Sequence, residues 1–473
     1  MMQASLAQIS CWLGVASPVA AMDVHGVSTD TRHLQPGNLF VALKGTRFDG
    51  HDHLAEAQRN GAVAAVVSTE SPDCTLTQIV VPNTLTALQT LGACWRDVVN
   101  PTVIAVTGSA GKTTVKQLLA SLFATQGSTR ATIGNLNNDI GVPLTLLALE
   151  LSDHFAVIEL GANHVGEIAR LTALVRPDYA VVTMAGTAHV GEFGSKDAIV
   201  QAKGELYTGL APTAQAIMNL DSYGADVWQK QCAAPWVGFA LQKSPNGTAH
   251  TTTARWLGEY HAAIETLTVT ESGMTLFRNL ELPMPGAHNA INLLAAISVA
   301  RAAGLSVSDI HHGLQAFVPP VGRMSVRVLN EFVTLIDDSY NANPESMRAG
   351  LDYLVSRPGL RLAVLGDMGE LGHQSAALHQ DLVRYASGLP LSGLFTLGHA
   401  MQAAIVTIQA DNLAPHFRAC DTPAEIADDL QRLIRANESQ PQPITILFKG
   451  SRFMQMERVM ALLQPSMTAT ETH

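Results

Sequence analysis

A glycine-rich run that ends in a lysine and two threonines is the strongest chemical signal in the sequence. It consists of Thr107, Gly108, Ser109, Ala110, Gly111, Lys112, Thr113 and Thr114. The apolar run 102–107 is typical of a buried strand, and a helix-like segment follows the glycines. In this setting backbone N–H groups face nucleotide phosphates, Lys112 reaches the β- and γ-phosphate oxygens, and the Thr113 hydroxyl ligates Mg²⁺. Val106 replaces the first glycine of the general pattern, but the flanking strand and helix favour a nucleotide site over a chance turn.

Two further polar features follow the loop. Glu159 closes the strand-like run 155–159. A glutamate there is ordinarily a solvated strand end, but beside the loop it is predicted to be a second Mg²⁺ ligand. Asn135, Asn137 and Asn138 lie between the loop and Glu159 and are either an ordinary turn or a set of amides for a substrate carboxyl or phosphate.

The elements that must position these residues indicate an α/β protein of about three domains, because 473 residues exceed one ordinary core. We predict a small α/β domain over 1–84, a central domain with a parallel sheet and the phosphate loop over 85–318, and a Rossmann-like α/β domain over 319–473. The last boundary rests on Pro319 and Pro320.

Apolar runs separated by helix-like segments predict the strands of the two larger domains. Central strands are expected at 102–107, 155–159 and 179–183, a short antiparallel excursion at 237–283, and a helix at 289–303. Strands of the last domain are expected at 333–336, 362–365, 393–397 and 444–448.

Charge and composition exclude several classes of function. A formal net charge of −11 argues against a nucleic-acid binder, which needs a basic face. The five cysteines are scattered, without the spacing of a zinc site or a disulfide framework. No apolar run reaches the length needed to cross a bilayer, so we expect a cytoplasmic protein without membrane insertion.

The loop form without its first glycine resembles that of the Mur ligases of peptidoglycan synthesis and of the related folylpolyglutamate synthases. Matching motifs continue along the chain at 134–138, 159–163, 188–189, 202–205, 288–292, 322–323 and 337–344. Motifs at 28–32, 49–52, 339–344, 366–372 and 449–452 are most similar to those of the members that add D-alanyl-D-alanine. Members that form the tripeptide carry Asp-Asn-Pro-Arg, whereas Glu345 follows Pro344 here, which counts against that step.

The resemblance implies an ATP-dependent amide ligase. The terminal carboxylate of UDP-N-acetylmuramoyl-tripeptide would attack the γ-phosphate of ATP and give an acyl phosphate. The amine of D-alanyl-D-alanine would then displace phosphate and form the pentapeptide precursor. It also implies that ATP lies between the second and third domains, so that domain closure completes the site and excludes water.

The resemblance also assigns roles near the phosphates. It implies that His189 ligates a second Mg²⁺, although a lone histidine is more often an ordinary, partly buried one. It implies that Lys203 is carbamylated by CO₂ to N-carboxylysine and supports that metal, whereas most lysines are solvated helix residues. Carbamylation needs a neutral amine, and therefore a setting that lowers the pKa of the lysine.

The remaining assignments concern the nucleoside and the two substrates. Asn289 and Asn292 are expected to meet adenine, with a helix N-cap as the competing interpretation for Asn289. Arg323 and Asp337 resemble the residues that contact the γ-phosphate and the ribose. Candidates for the UDP-sugar are Ser28, Thr31, Arg32, Lys44, Gly45, Asp49 and His51, of which Arg32 and Lys44 can equally be surface charges. Candidates for D-alanyl-D-alanine are Asn341, Asn343, Asp367, Lys449 and Ser451.

Three alternatives stay open at this stage. Two belong to the same group of ligases, namely the tripeptide-forming step and folate polyglutamylation, and the absent arginine after Pro344 and the nucleotide-sugar-like first domain weigh against both. Outside it, a P-loop ATPase switch would hydrolyse nucleotide to drive a partner, but the guanine motif Asn-Lys-x-Asp is missing. A monomer is the default expectation.

Overall fold

The computed structural model describes residues 1–16, 22–242, 253–409 and 417–463. Its first part is a small α/β unit in which β3 to β6 form a parallel four-stranded sheet and β1 pairs with β2. No helix within the four described ranges is both long and apolar enough to cross a bilayer. The elements of this unit are β1 (Gln3–Ser5), α1 (Leu6–Trp12), β2 (Asp23–His25), β3 (Val27–Ser28), β4 (Leu39–Val41), α2 (Leu54–Arg59), β5 (Ala64–Val67) and β6 (Thr77–Val80).

The central part is built on a nine-stranded sheet flanked by helices. Its elements are α3 (Thr84–Val99), β7 (Thr102–Thr107), α4 (Lys112–Phe123), β8 (Thr129–Ala131), α5 (Gly141–Leu147), β9 (Phe155–Glu159), α6 (Glu167–Val175), β10 (Tyr179–Val182), α7 (Val190–Phe193), α8 (Lys196–Thr208), β11 (Gln215–Asn219), α9 (Ala225–Gln231), β12 (Trp236–Leu241), β13 (Ala254–His261), β14 (Thr266–Glu271), β15 (Met274–Glu281), α10 (Ala287–Ala302) and α11 (Val307–Gln315).

The order of strands in this sheet is β15-β14-β13-β12-β11-β10-β7-β9-β8, and β7 lies between β10 and β9. The chain leaves β7 toward β8 and β9 on one side and reaches β10 and β11 on the other. Such a reversal opens a crevice at the carboxyl ends of the strands, which is where open α/β sheets bind ligands. The buried run of β7 therefore delivers the glycine loop to that crevice.

The predicted antiparallel excursion is wrong for its first strand. β12 pairs in parallel with β11, and β13 pairs in parallel with β12. The antiparallel pairs in this region are β13 with β14 and β14 with β15, and these strands extend the central sheet. Residues 243–252 of the predicted excursion lie outside the described residues.

The last part is a six-stranded sheet in the order β16-β17-β21-β18-β19-β20, parallel except for β16. The carboxyl ends of β17 and β21 face the central part. The elements are β16 (Ser325–Val328), β17 (Val333–Asp338), α12 (Pro344–Val355), β18 (Leu360–Gly366), α13 (Ser375–Ser387), β19 (Gly393–Leu397), α14 (His399–Gln409), β20 (Phe417–Cys420), α15 (Pro423–Ala436), β21 (Ile444–Lys449) and α16 (Glu457–Leu463).

The three parts are the domains of one α/β architecture, and one apolar cluster passes through all of them. The predicted domain boundaries stay a prediction. Helix α3 packs against α5 and α6 of the central part, which favours a boundary before it. All five cysteines are free thiols.

Candidate active site

A cleft of about 1120 Å³ lies between the central sheet and the C-terminal domain. Its walls come from both domains, from Ser109 to Arg452, and include none of the described residues before 109. The predicted site residues that line it are Ser109, Ala110, Gly111, Lys112, Thr113, Thr114, Asn135, Asn137, Asn138, Glu159, His189, Asn289, Asn292, Arg323, Asn341, Asn343 and Lys449.

The phosphate loop is held open by its glycines and by the end of β10. Gly108 has φ +146° and Gly111 has φ +82°, and a Cβ at Gly108 would lie 1.9 Å from Thr183 Oγ1. Thr107 Oγ1 donates to the Leu160 carbonyl at 2.7 Å, which fixes the strand end. Lys112 Nζ donates to the Gly108 carbonyl at 2.6 Å, so the lysine side chain folds back over the loop. Desolvation lowers the pKa of Lys112.

We expect Gly111→Ala to weaken ATP binding at least about tenfold and to cost about 1–2 kcal/mol of stability, because an L-residue is strained at this φ. The new Cβ would also lie 2.3 Å from Asn292 Oδ1. Isothermal titration with ATP and thermal unfolding measure both effects. Gly273→Ala is the matched control, since Gly273 has φ +84° with open space around it. Equal loss of ATP binding in the two variants would contradict the fit of Gly111 to the loop.

The carboxylate of Glu159 is buried at the base of the cleft, with 2% of the residue exposed. Its Oε1 accepts from Asn137 Nδ2 at 2.9 Å, and its backbone N–H donates to Thr132 Oγ1. Lys116 Nζ lies 3.7 Å from Oε2 and donates to the Thr132 carbonyl at 2.7 Å. Lys116 was missed by the sequence reasoning, although it stands one helical turn after Lys112. Desolvation lowers its pKa.

The chemistry of this corner fits a divalent cation. Glu159 Oε2 is buried and accepts no hydrogen bond within the described part of the chain. The Thr113 hydroxyl, in the first turn of α4, offers a second oxygen. No group of three or more His, Cys, Asp or Glu side chains suited to a metal occurs among the described residues. Mg²⁺ does not require one, because it commonly binds through one or two protein oxygens, substrate phosphates and water.

Arg323 reaches across the cleft from the C-terminal domain. Its guanidinium donates to Thr113 Oγ1 at 3.0 Å and lies over the Tyr340 ring, 4.3 Å from the centroid. The preceding Gly322 has φ +72° and accepts from the Tyr340 N–H through its carbonyl. A cation of the third domain is therefore held directly against the phosphate loop.

His189 also meets the C-terminal domain. Its backbone is left-handed, with φ +60°, and its Nδ1 lies 2.5 Å from Glu370 Oε2. This contact with His189 lowers the pKa of Glu370. The Gly191 N–H donates to the Glu370 carbonyl at 3.1 Å. Glu370 belongs to a matched motif, but its ion pair with the predicted metal ligand could not be read from the sequence.

Lys203 is a buried lysine on α8, with 1% of the residue exposed. Its Nζ lies 5.4 Å from the centroid of Phe193, and it does not line the cleft. Desolvation, with the charge of Lys112, lowers its pKa to about 7. The alternative interpretation of Lys203, as a solvated helix lysine, is therefore wrong. The neutral amine that carbamylation needs is accessible near neutral pH.

The pKa of Lys203 gives a sharp pH dependence for carbamate formation. At pH 8 about nine tenths of an amine with this pKa is neutral, against less than about 1% of an ordinary lysine. We expect a ¹³C carbamate resonance after addition of ¹³C-bicarbonate, strong at pH 8 and greatly reduced at pH 6. The signal should vanish in Lys203→Met. A resonance that persists in that variant would place the carbamate elsewhere.

Asn289 and Asn292 lie within the almost wholly buried helix α10. Gly286 is the N-cap of this helix, so the N-cap interpretation of Asn289 is wrong. Asn289 Nδ2 donates to the Pro285 carbonyl at 2.8 Å, and Asn292 Nδ2 donates to Asn289 Oδ1 at 3.2 Å. His288 Nε2 lies 3.2 Å from Asn289 Nδ2. Desolvation lowers the pKa of His288 to about 4, so the neutral ring can accept.

The structure separates two neighbouring aspartates of β17. Asp337 is buried outside the cleft lining, where it accepts from Ser339 and pairs with Arg327 at 3.1 Å. Asp338 lines the cleft instead and pairs with Lys449 at 2.6 Å. The assignment of Asp337 to the ribose stays a prediction, and its neighbour Asp338 is the one of the two that faces the cleft. Adjacent strand residues point to opposite faces, and the sequence did not show which face met the cleft.

The other C-terminal candidates already have structural partners. Asn343 caps α12 through a capping box with Ser346. Asp367 accepts from the Ala400 and Met401 N–H groups at the start of α14 and does not line the cleft. Ser451 Oγ accepts from the Gly369 N–H at 2.7 Å, also away from the lining. Asn341, Asn343 and Lys449 line the cleft, whereas Asp367 and Ser451 hold loops behind it.

The N-terminal candidates form a separate group around two loops. Arg32 pairs with Asp30 at 2.6 Å, and Lys44 pairs with Asp49 at 2.9 Å, with both basic side chains more than two thirds exposed. His51 has both ring nitrogens engaged, Nδ1 with Asp49 and Nε2 with the Ser68 N–H. Ser28 Oγ donates to the Asp30 carbonyl, the Thr31 carbonyl accepts from Asn60, and the Gly45 N–H donates to the Phe48 carbonyl. His51 therefore holds the loop, while Arg32 and Lys44 stay accessible to an anion.

The fold and the site define a P-loop enzyme whose nucleotide cleft is completed by a second, Rossmann-like domain. Three family models match the chain: Mur ligase family, catalytic domain, over residues 23–95; Mur ligase middle domain, over 106–300; and Mur ligase, glutamate ligase domain, over 322–452. The chain belongs to the Mur ligase family, which makes it an ATP-dependent ligase.

Relatives of full length are similar to this chain in both sequence and structure. UDP-N-acetylmuramoyl-tripeptide–D-alanyl-D-alanine ligase of Escherichia coli K12 is 39% identical and covers 99% of this chain and 100% of its own. The crystal structure of MurF from Acinetobacter baumannii superposes with a TM-score of 0.89 at 35% identity, covering 98% of this chain and 99% of that one. MurF ligase from Thermotoga maritima, solved in complex with ADP, gives 0.80 at 26% identity, covering 94% and 98%.

Proposed function

We propose that this chain joins D-alanyl-D-alanine to UDP-N-acetylmuramoyl-tripeptide at the expense of ATP. The main structural support for this proposal is the contact between Arg323 and Thr113, which brings a cation of the C-terminal domain to the phosphate loop. Full-length similarity to ligases named for this reaction supports the choice of substrates. A peptide carboxylate attacks the γ-phosphate, and the amine then attacks the acyl carbon and releases phosphate.

The barrier in this reaction is largely electrostatic, because two anions must meet before phosphoryl transfer. Lys112 supplies one cation to the β- and γ-phosphates, and Arg323 supplies another from the opposite wall. Asn289 and Asn292 offer amide groups to adenine beside the loop. Asp338, rather than Asp337, is the carboxylate available to the ribose.

Two Mg²⁺ sites form part of the proposal. Thr113 and Glu159 would hold the first, while His189 and a carbamylated Lys203 would hold the second. When bound, the metal ions neutralise phosphate charge and align the γ-phosphate with the attacking carboxylate. The buried Oε2 of Glu159, which accepts no hydrogen bond from the described residues and has only the Lys116 ammonium at 3.7 Å, supports the first site. The low pKa of Lys203 supports the carbamate at the second.

The two ends of the substrate pair would bind on different domains. Arg32 and Lys44 are the accessible cations for the UDP pyrophosphate. Asn341 and Lys449 are the candidates for D-alanyl-D-alanine within the cleft. Asn135, Asn137 and Asn138 line the path near the phosphates, where Asn137 orients Glu159. We further propose that the enzyme acts as a cytoplasmic monomer.

The other functions fit less well. Tripeptide formation is disfavoured because Glu345 follows Pro344, and an acidic side chain cannot pair with the carboxylate of a diamino acid. A folate polyglutamylase does not need the UDP-sugar candidates of the first domain. An ATPase switch would not need a C-terminal domain that carries its own cleft residues.

An assay of phosphate release tests the proposal. Purified protein is mixed with ATP, Mg²⁺, UDP-N-acetylmuramoyl-tripeptide and D-alanyl-D-alanine, and each substrate is omitted in turn. We expect release only in the complete mixture. Hydrolysis that is indifferent to both the tripeptide and the dipeptide would overturn the ligase proposal in favour of an ATPase.

A further inference from the structure

Glu345 makes a further contact between the central and C-terminal domains that none of the roles above uses. It stands in the first turn of α12, and both its carboxylate oxygens are engaged by one residue of the central domain. Oε1 accepts from the Thr187 N–H and Oε2 accepts from Thr187 Oγ1, each at 2.8 Å. Hydrogen bonds to a charged acceptor are among the stronger ones, and two to one carboxylate also fix its orientation.

Thr187 belongs to the β10–α7 loop, residues 183–189, which is bonded to the phosphate loop as well. The Ser109 N–H donates to the Met184 carbonyl at 2.8 Å. The Gly186 N–H donates to Ser109 Oγ at 2.9 Å. Two consecutive amides thus point to different partners, that of Gly186 to the phosphate loop and that of Thr187 to the C-terminal domain.

Gly186 makes this close approach sterically feasible. A Cβ at this position would lie 3.0 Å from Glu345 Cδ and 3.1 Å from Oε1. Its φ is not in the left-handed region, so the glycine is required here by space rather than by backbone conformation. The loop is therefore shaped to admit the carboxylate of Glu345.

We propose that Glu345 is a positioning residue, which couples the phosphate loop to the C-terminal domain through Thr187. A shift of Ser109 when nucleotide fills the loop moves the amide of Gly186, and Thr187 carries that movement to Glu345 and α12. The C-terminal domain, with its candidate amine-binding residues, is thereby aligned when ATP is present. This inference rests on the proposed function for its kinetic consequences, although the coupling itself needs only ATP.

The kinetic test uses Thr187→Val and Glu345→Gln, the double variant and Gly186→Ala. Thr187→Val removes one donor at nearly constant volume, and Glu345→Gln leaves only one of the two oxygen acceptors. We expect each to lower kcat at least about tenfold. KM for UDP-N-acetylmuramoyl-tripeptide and the melting temperature should stay near wild type. The loss in the double variant should be smaller than the product of the two single losses, because both substitutions act on the same contact.

Thr187→Ser should retain most of the wild-type activity, in contrast to Thr187→Val, since serine keeps the hydroxyl. Glu331→Gln, an exposed carboxylate of the same domain, is the matched control and should behave as wild type. Additive losses in the double variant would overturn the coupling. So would a Glu345→Gln defect confined to KM for D-alanyl-D-alanine, because that result would make Glu345 a direct ligand of the amine.

Hydrogen–deuterium exchange separates failure of this inference from failure of the proposed function. With Mg²⁺ and ATP alone, peptides covering 183–193 should gain protection in wild type and not in Glu345→Gln. Equal protection in both proteins overturns the coupling even if ligation is normal. Loss of ligation in wild type, with the protection difference intact, overturns only the choice of substrates.

Discussion

Replacing Glu159 with glutamine is expected to lower kcat by about 10²–10³, the cost of removing one electrostatic group from a pre-organised site. The glutamine carbonyl can still accept from Asn137, so the side chain keeps its place. The charge that would hold Mg²⁺ beside Thr113 is lost, and the apparent affinity for Mg²⁺ should fall in parallel. Initial rates measured across a Mg²⁺ titration report both effects.

The control for Glu159→Gln is Glu281→Gln, an exposed carboxylate at the end of β15. It should leave kcat and the Mg²⁺ dependence unchanged. Thermal unfolding establishes whether the buried Lys116, which loses its charged neighbour, destabilises the variant. A folded Glu159→Gln enzyme that keeps more than about a tenth of wild-type activity would refute the metal role of Glu159.

Replacing Lys203 with alanine is expected to have a comparable effect, again about 10²–10³ in kcat, if the lysine acts as a carbamate. The substitution removes a buried side chain from α8 and leaves space beside Phe193. Short-chain carboxylates such as formate or acetate should restore part of the activity, because they supply the anion that the carbamate provided.

Lys112→Ala is the matched control, because it removes a cation from the site rather than an anion. It should lose at least as much activity, since it removes a cation from the phosphates, but carboxylates should not rescue it. Full activity of Lys203→Ala would refute the carbamate. Equal rescue of both variants by acetate would show an unspecific salt effect.

The features that the sequence predicted well are local. The strand 102–107 has the predicted bounds, since a buried apolar run followed by a glycine loop leaves few alternatives. Strands 155–159 and 393–397 also match, for the same reason. Glu159, Lys112 and Thr113 line one cleft, and the sequence could predict their proximity because it depends on one strand end and one loop.

The features that the sequence missed depend on contacts between distant segments. Thr187 and Glu345 are 158 positions apart, and their pairing exists only once two domains meet. The contact between Glu370 and His189 is another such case. The family resemblance pointed to Asp337, whereas Asp338 lines the cleft, because a strand alternates its two faces and only tertiary packing decides which face lines a cleft. For β12, the partner strand rather than its own residues decided that it pairs in parallel.

Oxygen transfer tests the central claim most directly. UDP-N-acetylmuramoyl-tripeptide is labelled with ¹⁸O in both oxygens of its reacting carboxylate and incubated with ATP, Mg²⁺ and D-alanyl-D-alanine. An acyl phosphate transfers one labelled oxygen to the released phosphate and leaves the other in the new amide carbonyl. Mass spectrometry should therefore find one ¹⁸O in phosphate and one in the pentapeptide product. Phosphate without ¹⁸O, its fourth oxygen taken from water, together with an absence of labelled amide, would contradict the account.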